Sequence, residues 1–321
     1  MLFTDEGKDL FTGQLQQVEE RLEDVVVSGD NSLDRLSLYL LERGGKRIRP
    51  LLVILTASLY PSREEVVIDL AVAVELIHTA SLIHDDIIDE ASERRGSESI
   101  NSRWGNREAV LTGDHLFALA FNLLTEHSQY DLLRPMTLAI SKMCQGEIGQ
   151  LNSNGTVDEQ KYFSQIRKKT ASLLAAACYA GGEVSSMPAE YLYRMREFGL
   201  CLGYGYQIVD DLFDLFSTPE SIGKPVGSDL QQGLLTLPLI YLLQDRNYGS
   251  QTRQLLKNGD SSFPLRGFLQ AAVLESGALA AARNRAADYI ERAKAMLDPL
   301  PPGEAREELL GLADYLLERK H

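Results

Sequence analysis

The sequence predicts an all-α fold, a single-domain bundle of more than ten helices. Apolar residues recur at helical spacing along almost the whole chain, and no convincing stretch shows the alternation typical of a strand. No linker rich in proline, glycine or serine divides the 321 residues, of which 44% are hydrophobic. We therefore expect one domain over residues 1–321, long enough to bury a large core.

The predicted helices follow one another with short breaks. Apolar stripes over Leu15–Val25 and Leu33–Leu41 indicate two amphipathic helices. The glycine pair at 44–45 ends the second helix, and Pro50 suits the first turn of the third. The helices predicted beyond this point cover 51–60, 66–89, 108–127, 131–151, 158–181, 189–216, 236–244, 250–257, 264–274, 276–297 and 303–319.

The composition argues against several classes of protein. The formal net charge is −14, so nucleic acid is not an expected partner. No apolar run reaches the roughly 18 residues of a membrane span, and the first residues lack the positive start of a signal peptide. Cys144, Cys178 and Cys201 form no CxxC pair. We expect small core cysteines in a reducing compartment, and hence a cytoplasmic protein.

Two aspartate motifs of the form DDxxD carry the functional prediction. The first contains Asp85, Asp86 and Asp89, and the second contains Asp210, Asp211 and Asp214. On a helix, residues i and i+4 lie on one face, so each motif stacks its carboxylates one turn apart. Acids embedded in apolar helices are costly unless a cation meets them. Magnesium, which prefers oxygen ligands and is commonly shared with substrate phosphates, is the natural counter-ion.

The alternative is that these acids merely form a solvated helix face. A single motif would leave that alternative open, but two copies in apolar surroundings favour a metal site. The spacing and the missing glycine exclude a calcium loop of the EF-hand type.

Basic residues gather around the two motifs. The segment 44–50 places cations at a predicted helix start, where backbone N–H groups favour anions. Arginine also offers a planar fork that matches phosphate oxygens. For any single one of these cations a surface role is the alternative. The candidate cations are Lys46, Arg47, Arg49, Arg94, Arg95, Lys168, Lys169 and Lys224.

Two histidines accompany the first motif. His78 precedes Asp85 by two helical turns, and so lies on the same helix face. We expect it to take part in the site, although a lone histidine in an apolar helix is more often a core residue. We expect His84 to be structural.

Five ordered segments resemble one enzyme family. They are GGKRIRP (44–50), ELIHTASLIHDDIIDEASERRG (75–96), KTA (169–171), YQIVDDLFD (206–214) and GKPVGSDLQQGLLTLP (223–238). From about residue 35 onward the chain resembles the trans-isoprenyl diphosphate synthases, or polyprenyl synthetases. It is most similar to the catalytic subunit of bacterial heptaprenyl diphosphate synthases. The resemblance implies a helical bundle around a central cavity, and condensation of isopentenyl diphosphate with an allylic diphosphate, farnesyl or geranylgeranyl.

The resemblance also implies roles for individual residues. Two or three Mg²⁺ ions would be held by Asp85, Asp86, Asp89, Asp210, Asp211 and Asp214. Isopentenyl diphosphate would be bound by Lys46, Arg49, His78 and Arg95. The allylic diphosphate would be bound by Arg94, Lys169 and Lys224, and its carbocation would face oxygens of Thr170 and Gln207. Leu234 stands where the family often has a lysine, so one phosphate contact is missing. Residues 218–235 are expected to form a lid.

The length of the product is predicted from the helix before the first motif. Ile77, Ala80 and Ser81 lie on this helix, and short-chain relatives usually carry a blocking aromatic residue here. Because Ala80 and Ser81 are small, we expect a tunnel that admits a product of about C30–C40, used for quinone side chains. The alternative is that Met143 or Phe121 supplies the floor.

Several alternatives remain open at this stage. The chain could be a short-chain (C15–C20) synthase, or a catalytic subunit active only with a small partner subunit. A terpene cyclase usually keeps one aspartate motif and lacks GGKRIRP. A regulatory paralogue or a helical scaffold gives no reason for two intact acidic motifs. The resemblance implies a homodimer, with a heterodimer and transient membrane contact for product release as further possibilities.

Overall fold

The prediction of an all-α fold with more than ten helices is confirmed. The computed structural model describes residues 7–94, 96–127, 130–151, 158–216, 234–257 and 263–318. Its elements are α1 (Gly7–Val26), α2 (Asn31–Leu41), α3 (Ile48–Ala57), α4 (Glu64–Ile88), β1 (Glu93–Arg94), β2 (Ser97–Glu98), α5 (Ile100–Trp104), α6 (Asn106–Glu126), α7 (Tyr130–Leu151), α8 (Glu159–Ile166), a π-helical segment (Arg167–Ala171), α9 (Ser172–Val184), α10 (Ala189–Phe216), α11 (Leu237–Gln244), α12 (Gly249–Lys257), α13 (Phe263–Glu275), α14 (Ala278–Leu297) and α15 (Glu304–Glu318).

Helix α4 is the central helix of the main core. It lies along α6 and contacts α3 and α9, while α10 lies along α9 and α14. By length and composition α4 could cross a membrane, with a mean hydropathy of 2.0 in its most apolar window. However, 78% of that window is buried inside the protein, which identifies α4 as the core helix of a folded domain. The first aspartate motif is therefore carried at the C-terminal end of a helix whose apolar part lies in the core.

The segment predicted as one helix over 158–181 is instead interrupted by a π-helical turn. This turn spans Arg167–Ala171 and lies between α8 and α9. It packs closely on α10, because a Cβ built on Gly203 would lie 2.5 Å from Cα of Ala171. Only glycine permits this approach. The turn therefore brings Thr170 up to α10, which carries the second aspartate motif, while Lys169 contacts α7.

Two small elements were not predicted. The short helix α5 has too few residues to show a periodicity, and its N-terminus is capped by the side chain of Ser99, which accepts from the N–H of Ser102. The strands β1 and β2 pair antiparallel, with Arg94 opposite Ser97. Two residues per strand cannot produce an alternation that a sequence pattern would reveal. This ribbon follows the first aspartate motif and returns Arg94 to it.

Candidate active site

A cavity of about 740 Å³ lies between α4, α6, α7, the π-helical turn and α10. This volume is within the range of roughly 300–1,000 Å³ that is typical of small-molecule sites. Much of its wall is apolar, with Phe117, Ile140, Met143, Ile148 and Leu173 among the lining residues. The predicted site residues that line it are Arg49, His78, Ser81, Asp85, Arg94, Lys169, Thr170, Gln207 and Asp210.

In the first motif, the three aspartates have different surroundings. Asp85 lines the cavity, whereas Asp86 is buried and Asp89 is exposed. Asp89 is the C-cap of α4, and its N–H donates to the carbonyl of Asp85 at 2.8 Å, so it lies one turn further along. Burial raises the pKa of Asp85 to about 6; Lys169 acts against this rise, and Glu147 adds to it. The cavity thus contains a carboxylate whose negative charge is not fully balanced by the neighbouring cations of the protein.

Asp86 is held by Arg94 from the ribbon. Nε and one terminal nitrogen of Arg94 both lie 2.6 Å from Oδ1 of Asp86. Charge-assisted contacts of this length are the stronger kind of hydrogen bond. Arg94 also lines the cavity, so the pair connects the buried second aspartate to the site.

In the second motif, as in the first, the first aspartate lines the cavity and the second is buried. Asp210 lines the cavity, and Asp211 is buried behind it. The hydroxyl of Tyr162 donates to Oδ2 of Asp211 at 2.6 Å, and Nε2 of Gln207 donates to Oδ1 at 2.9 Å. Burial nevertheless raises the pKa of Asp211 above its ordinary value, against the effect of these two donors. Asp214 follows one turn later and is half-buried.

A chain of hydrogen bonds links the π-helical turn to α10. The hydroxyl of Thr170 donates to Oε1 of Gln207 at 2.7 Å, and Gln207 donates in turn to Asp211. Thr170 and Gln207 therefore lie together at the cavity wall.

Lys169 is held against α7. Its Nζ lies 2.6 Å from a carboxylate oxygen of Glu147 and donates to Gln150 at 2.9 Å. Both Lys169 and Glu147 line the cavity. An anion entering the cavity would therefore meet a lysine whose position is already fixed.

The GGKRIRP segment contributes unequally to the cavity. Lys46 is exposed and is not among the residues that line it. Arg49 does line it, and is the one residue of α3 that is not buried. Burial by its neighbours lowers the pKa of Arg49, against the effects of Tyr206 and Glu75, which raise it. Arg49 and His78 therefore approach the cavity from two different helices.

The donor set fits magnesium shared with a substrate. Within the described ranges, no three His, Cys, Asp or Glu side chains form a ready-made metal cage. Asp85 and Asp210 instead present single carboxylates to one cavity, and burial has raised the pKa of Asp85. Mg²⁺ is commonly bound in this way, through one or two carboxylates together with substrate phosphates and water. Asp85, Asp89, Asp210 and Asp214 are the residues that would hold it, with Asp86 and Asp211 behind them.

Some predicted residues lie outside the part of the chain that the structure describes. These are Arg95, Lys224 and residues 218–233 of the expected lid, because the structure describes neither residue 95 nor residues 217–233. Leu234 and Leu235 are described and are half-buried. Of the chain-length candidates, Ser81 lines the cavity, while Ile77 and Ala80 are fully buried in the core. Met143 lines the cavity as well, whereas Phe121 packs against the core.

Several residues of the site were missed by sequence reasoning. Tyr162, Glu147 and Gln150 contact predicted residues, but nothing in their spacing distinguishes them from other helical residues. His84, expected to be structural, lines the cavity, and its Nε2 lies 3.3 Å from the carbonyl of Val110. The expectation for Cys144 was wrong. It is exposed at the cavity, while Cys178 and Cys201 are buried.

Comparisons with known proteins agree on one family. The family model described as polyprenyl synthetase matches residues 30–264. Heptaprenyl diphosphate synthase component 2 of Geobacillus stearothermophilus is 37% identical over 309 residues, which is 96% of each chain. Octaprenyl diphosphate synthase of Escherichia coli is 33% identical, over 89% of this chain and 90% of its own. Other relatives are named as decaprenyl and geranylgeranyl diphosphate synthases.

Solved structures give the same result. The polyprenyl synthase of Caulobacter crescentus, crystallised with calcium and isoprenyl diphosphate, has a TM-score of 0.92 at 32% identity, over 99% of this chain and 98% of its own. The helical bundle and its aspartate-lined cavity define a prenyltransferase of the isoprenoid synthase fold. The chain belongs to the polyprenyl synthetase family, the trans-prenyl diphosphate synthases.

Proposed function

We propose that the protein condenses isopentenyl diphosphate with an allylic diphosphate, farnesyl or geranylgeranyl, in the presence of Mg²⁺. The observation that carries this proposal is the composition of the cavity. Asp85 and Asp210 from two helices, three cations (Arg49, Arg94 and Lys169) and a largely apolar wall meet in one space. A molecule with a diphosphate at one end and a hydrocarbon chain at the other matches that arrangement.

The polar end of the cavity acts on the leaving group. As the allylic carbon–oxygen bond breaks, negative charge develops on the diphosphate, and cations fixed in advance stabilise that charge. Lys169 and Arg94 are already held in place by Glu147 and Asp86. Bound Mg²⁺ would neutralise phosphate charge and favour departure of the diphosphate.

The apolar wall and the paired oxygens act on the other fragment. The allylic cation needs a space from which water is excluded. The linked side-chain oxygens of Thr170 and Gln207 face this space and stabilise positive charge. The double bond of isopentenyl diphosphate, oriented by Arg49 and His78, attacks the cation, and a proton then leaves for the departed diphosphate. Orientation of two bound substrates replaces a protein nucleophile.

The proposed product is about C30–C40, a length suited to a quinone side chain. Ser81 at the wall and Ala80 behind it are both small, which supports a cavity that continues past the first motif. A short-chain product of C15–C20 is the second candidate. It is favoured by Met143, whose side chain lines the cavity and is large enough to act as a floor.

We propose a homodimer that works in the cytoplasm and contacts a membrane only to release its product. A heterodimer with a small subunit is the alternative, supported by the words "component 2" in the name of the Geobacillus stearothermophilus relative.

The test is incubation with Mg²⁺, isopentenyl diphosphate and farnesyl diphosphate, followed by chromatography of the products. We expect diphosphates longer than C20. Asp85→Ala and Asp210→Ala should lower turnover by orders of magnitude, and Glu23→Ala, an exposed acid on α1, serves as the control. Near-normal turnover in both aspartate variants would rule out the metal assignment. Activity that appears only with an added small subunit would favour the heterodimer.

A further inference from the structure

Arg47 joins three parts of the molecule through two ion pairs, of which the pair with Glu75 is buried and the pair with Glu19 is partly exposed. Its guanidinium lies in the core, 7% exposed, although it belongs to a loop between α2 and α3. Nε lies 2.5 Å from one oxygen of Glu19 on α1, and one terminal nitrogen lies 2.8 Å from the other oxygen. The second terminal nitrogen lies 2.7 Å from Oε1 of Glu75, which is itself buried on α4.

The backbone at Arg47 is shaped for this contact. Arg47 is the N-cap of α3 with φ of 46° and ψ of 33°, in the left-handed region that residues other than glycine rarely adopt. A strained conformation of this kind persists only where the surroundings compensate for it. Here the compensation comes from the two carboxylates, which outweigh the effect of burial and raise the pKa of Arg47.

Arg49 lies two residues further on, and its surroundings differ from those of Arg47, which is bound by two carboxylates. It lines the cavity, and its buried Nε has no hydrogen-bond partner among the residues that the structure describes. The negative charge of Glu75 acts on Arg49 through space and raises its pKa, while burial lowers it. Glu75 is thus within electrostatic reach of two arginines, and Arg47 is the one that binds it.

We propose that Arg47 is a positioning residue that occupies Glu75 and so leaves Arg49 available to a diphosphate in the cavity. This rests on the proposed function, in which Arg49 binds isopentenyl diphosphate. Without Arg47, the buried carboxylate of Glu75 would lack its partner and would attract the nearest guanidinium, because an unpaired buried charge is strongly unfavourable. Arg49 would then turn from the cavity toward α4. Glu75 lies one turn before His78 on α4, so the same contact also aligns the two helices that carry Arg49 and His78.

The experiment compares Arg47→Met, Glu75→Gln and the double variant, with separate KM values for the two substrates. In Arg47→Met we expect the KM for isopentenyl diphosphate to rise by about tenfold or more, as for the loss of one charge-assisted contact. The KM for farnesyl diphosphate should change by less than about twofold, as for a substitution that does not affect the binding of that substrate. In the double variant, the isopentenyl KM should return toward the unsubstituted value, since Glu75 no longer attracts Arg49.

Two controls separate positioning from general stability. Arg21→Met removes another ion pair between α1 and α4, in which Nε of Arg21 lies 2.7 Å from Oδ1 of Asp69, and should leave both KM values unchanged. Arg47→Lys keeps a charge beside Glu75, and should keep the isopentenyl KM close to normal even if Arg47→Met fails to fold.

The proposal is overturned if Arg47→Met leaves the isopentenyl KM unchanged, or if the double variant shows no recovery. Arg49→Gln, which removes the proposed isopentenyl contact itself, serves as the reference. The proposal is also overturned if a folded Arg47→Lys variant raises the isopentenyl KM as much as Arg49→Gln does. If Arg49→Gln itself has no effect on that KM, the assigned isopentenyl site is wrong, whatever Arg47 does. Failure of the positioning role and failure of the proposed function therefore give different results.

Discussion

The hydroxyl of Tyr162 on α8 donates a 2.6 Å hydrogen bond to the buried carboxylate of Asp211 on α10. Together with Gln207, it fixes the second aspartate of the second motif, while the first, Asp210, remains at the cavity. The first motif has the same arrangement, with Arg94 bound to Asp86. In both motifs a hydrogen-bonded partner anchors the buried second carboxylate, while the first aspartate lines the cavity.

Tyr162→Phe removes one donor to Asp211 without changing the size of the ring. A buried carboxylate that loses a donor is destabilised by about 1–3 kcal/mol, so we expect weaker Mg²⁺ binding and a kcat lower by about tenfold. Mg²⁺ titration of the rate at saturating substrate is the measurement. Tyr204→Phe is the matched control, because Tyr204 belongs to the same aromatic cluster through Phe163. Equal effects in the two variants would contradict an anchoring role for the hydroxyl.

Lys169→Met and Lys168→Met compare two adjacent lysines of the π-helical turn. Lys169 lines the cavity and Lys168 does not. We expect Lys169→Met to lower kcat/KM for the allylic diphosphate by about 10- to 100-fold, as for the loss of a charge-assisted contact. Lys168→Met should have little effect. Comparable losses in both would show that the charge of the segment matters and not the position of Lys169.

Mg²⁺ binding is expected to weaken as the pH falls through about 6. The pKa of Asp85 is raised to about 6, so this carboxyl is charged above that pH and protonated below it. Because a metal binds the charged form, its binding to the free enzyme should release a proton near pH 6. Calorimetry in buffers with different ionisation enthalpies measures this release. An affinity for Mg²⁺ that is constant from pH 5 to 7.5 would contradict it.

The same raised pKa predicts that Asp85 destabilises the metal-free protein at neutral pH. A raised folded pKa means that the folded state binds the proton more tightly, so this group reduces stability as the pH rises from about 4 to about 6. Asp85→Asn should therefore raise the thermal midpoint at pH 7 without Mg²⁺ and have little effect at pH 4. Glu23→Gln, on the exposed face of α1, is the control. A midpoint that falls at pH 7 would contradict the prediction.

Ser81→Phe is expected to shorten the product. Ser81 lines the cavity one turn before Asp85, so a phenyl ring there would occupy space that the growing chain needs. Ala80→Phe is a weaker test, since Ala80 is fully buried and a larger residue would overpack the core. Chromatography of the products gives the length, and Ser81→Ala should leave it unchanged. An unaltered distribution in Ser81→Phe would contradict a cavity that extends along this face of α4.

Sequence reasoning predicted the parts of this molecule that depend on local pattern. The helix over 189–216 was predicted with the bounds that α10 has, because its apolar residues recur at helical spacing without a break. Asp85 and Asp210 were recognisable because acids inside an apolar helix violate the pattern. Tyr162, by contrast, follows the pattern of an ordinary core aromatic residue, and only the fold brings it to Asp211.

The geometry that tertiary contacts impose could not be predicted in this way. The left-handed backbone at Arg47 depends on Glu19 and Glu75, each 28 residues away in sequence. The π-helical turn depends on the close approach of Ala171 to Gly203. In both cases the local sequence is compatible with several conformations, and a partner distant in the chain selects one of them.

The contact between Gly203 and Ala171 also bears on how one scaffold serves several product lengths. It packs together the backbones of the π-helical turn and α10, which carry Lys169, Thr170, Gln207 and Asp210 at the polar part of the cavity wall. The opposite end is bounded by side chains such as Ser81, Phe117 and Met143, which a single substitution can enlarge or shorten. Evolution can therefore adjust the depth of the pocket while the bond-making machinery stays the same.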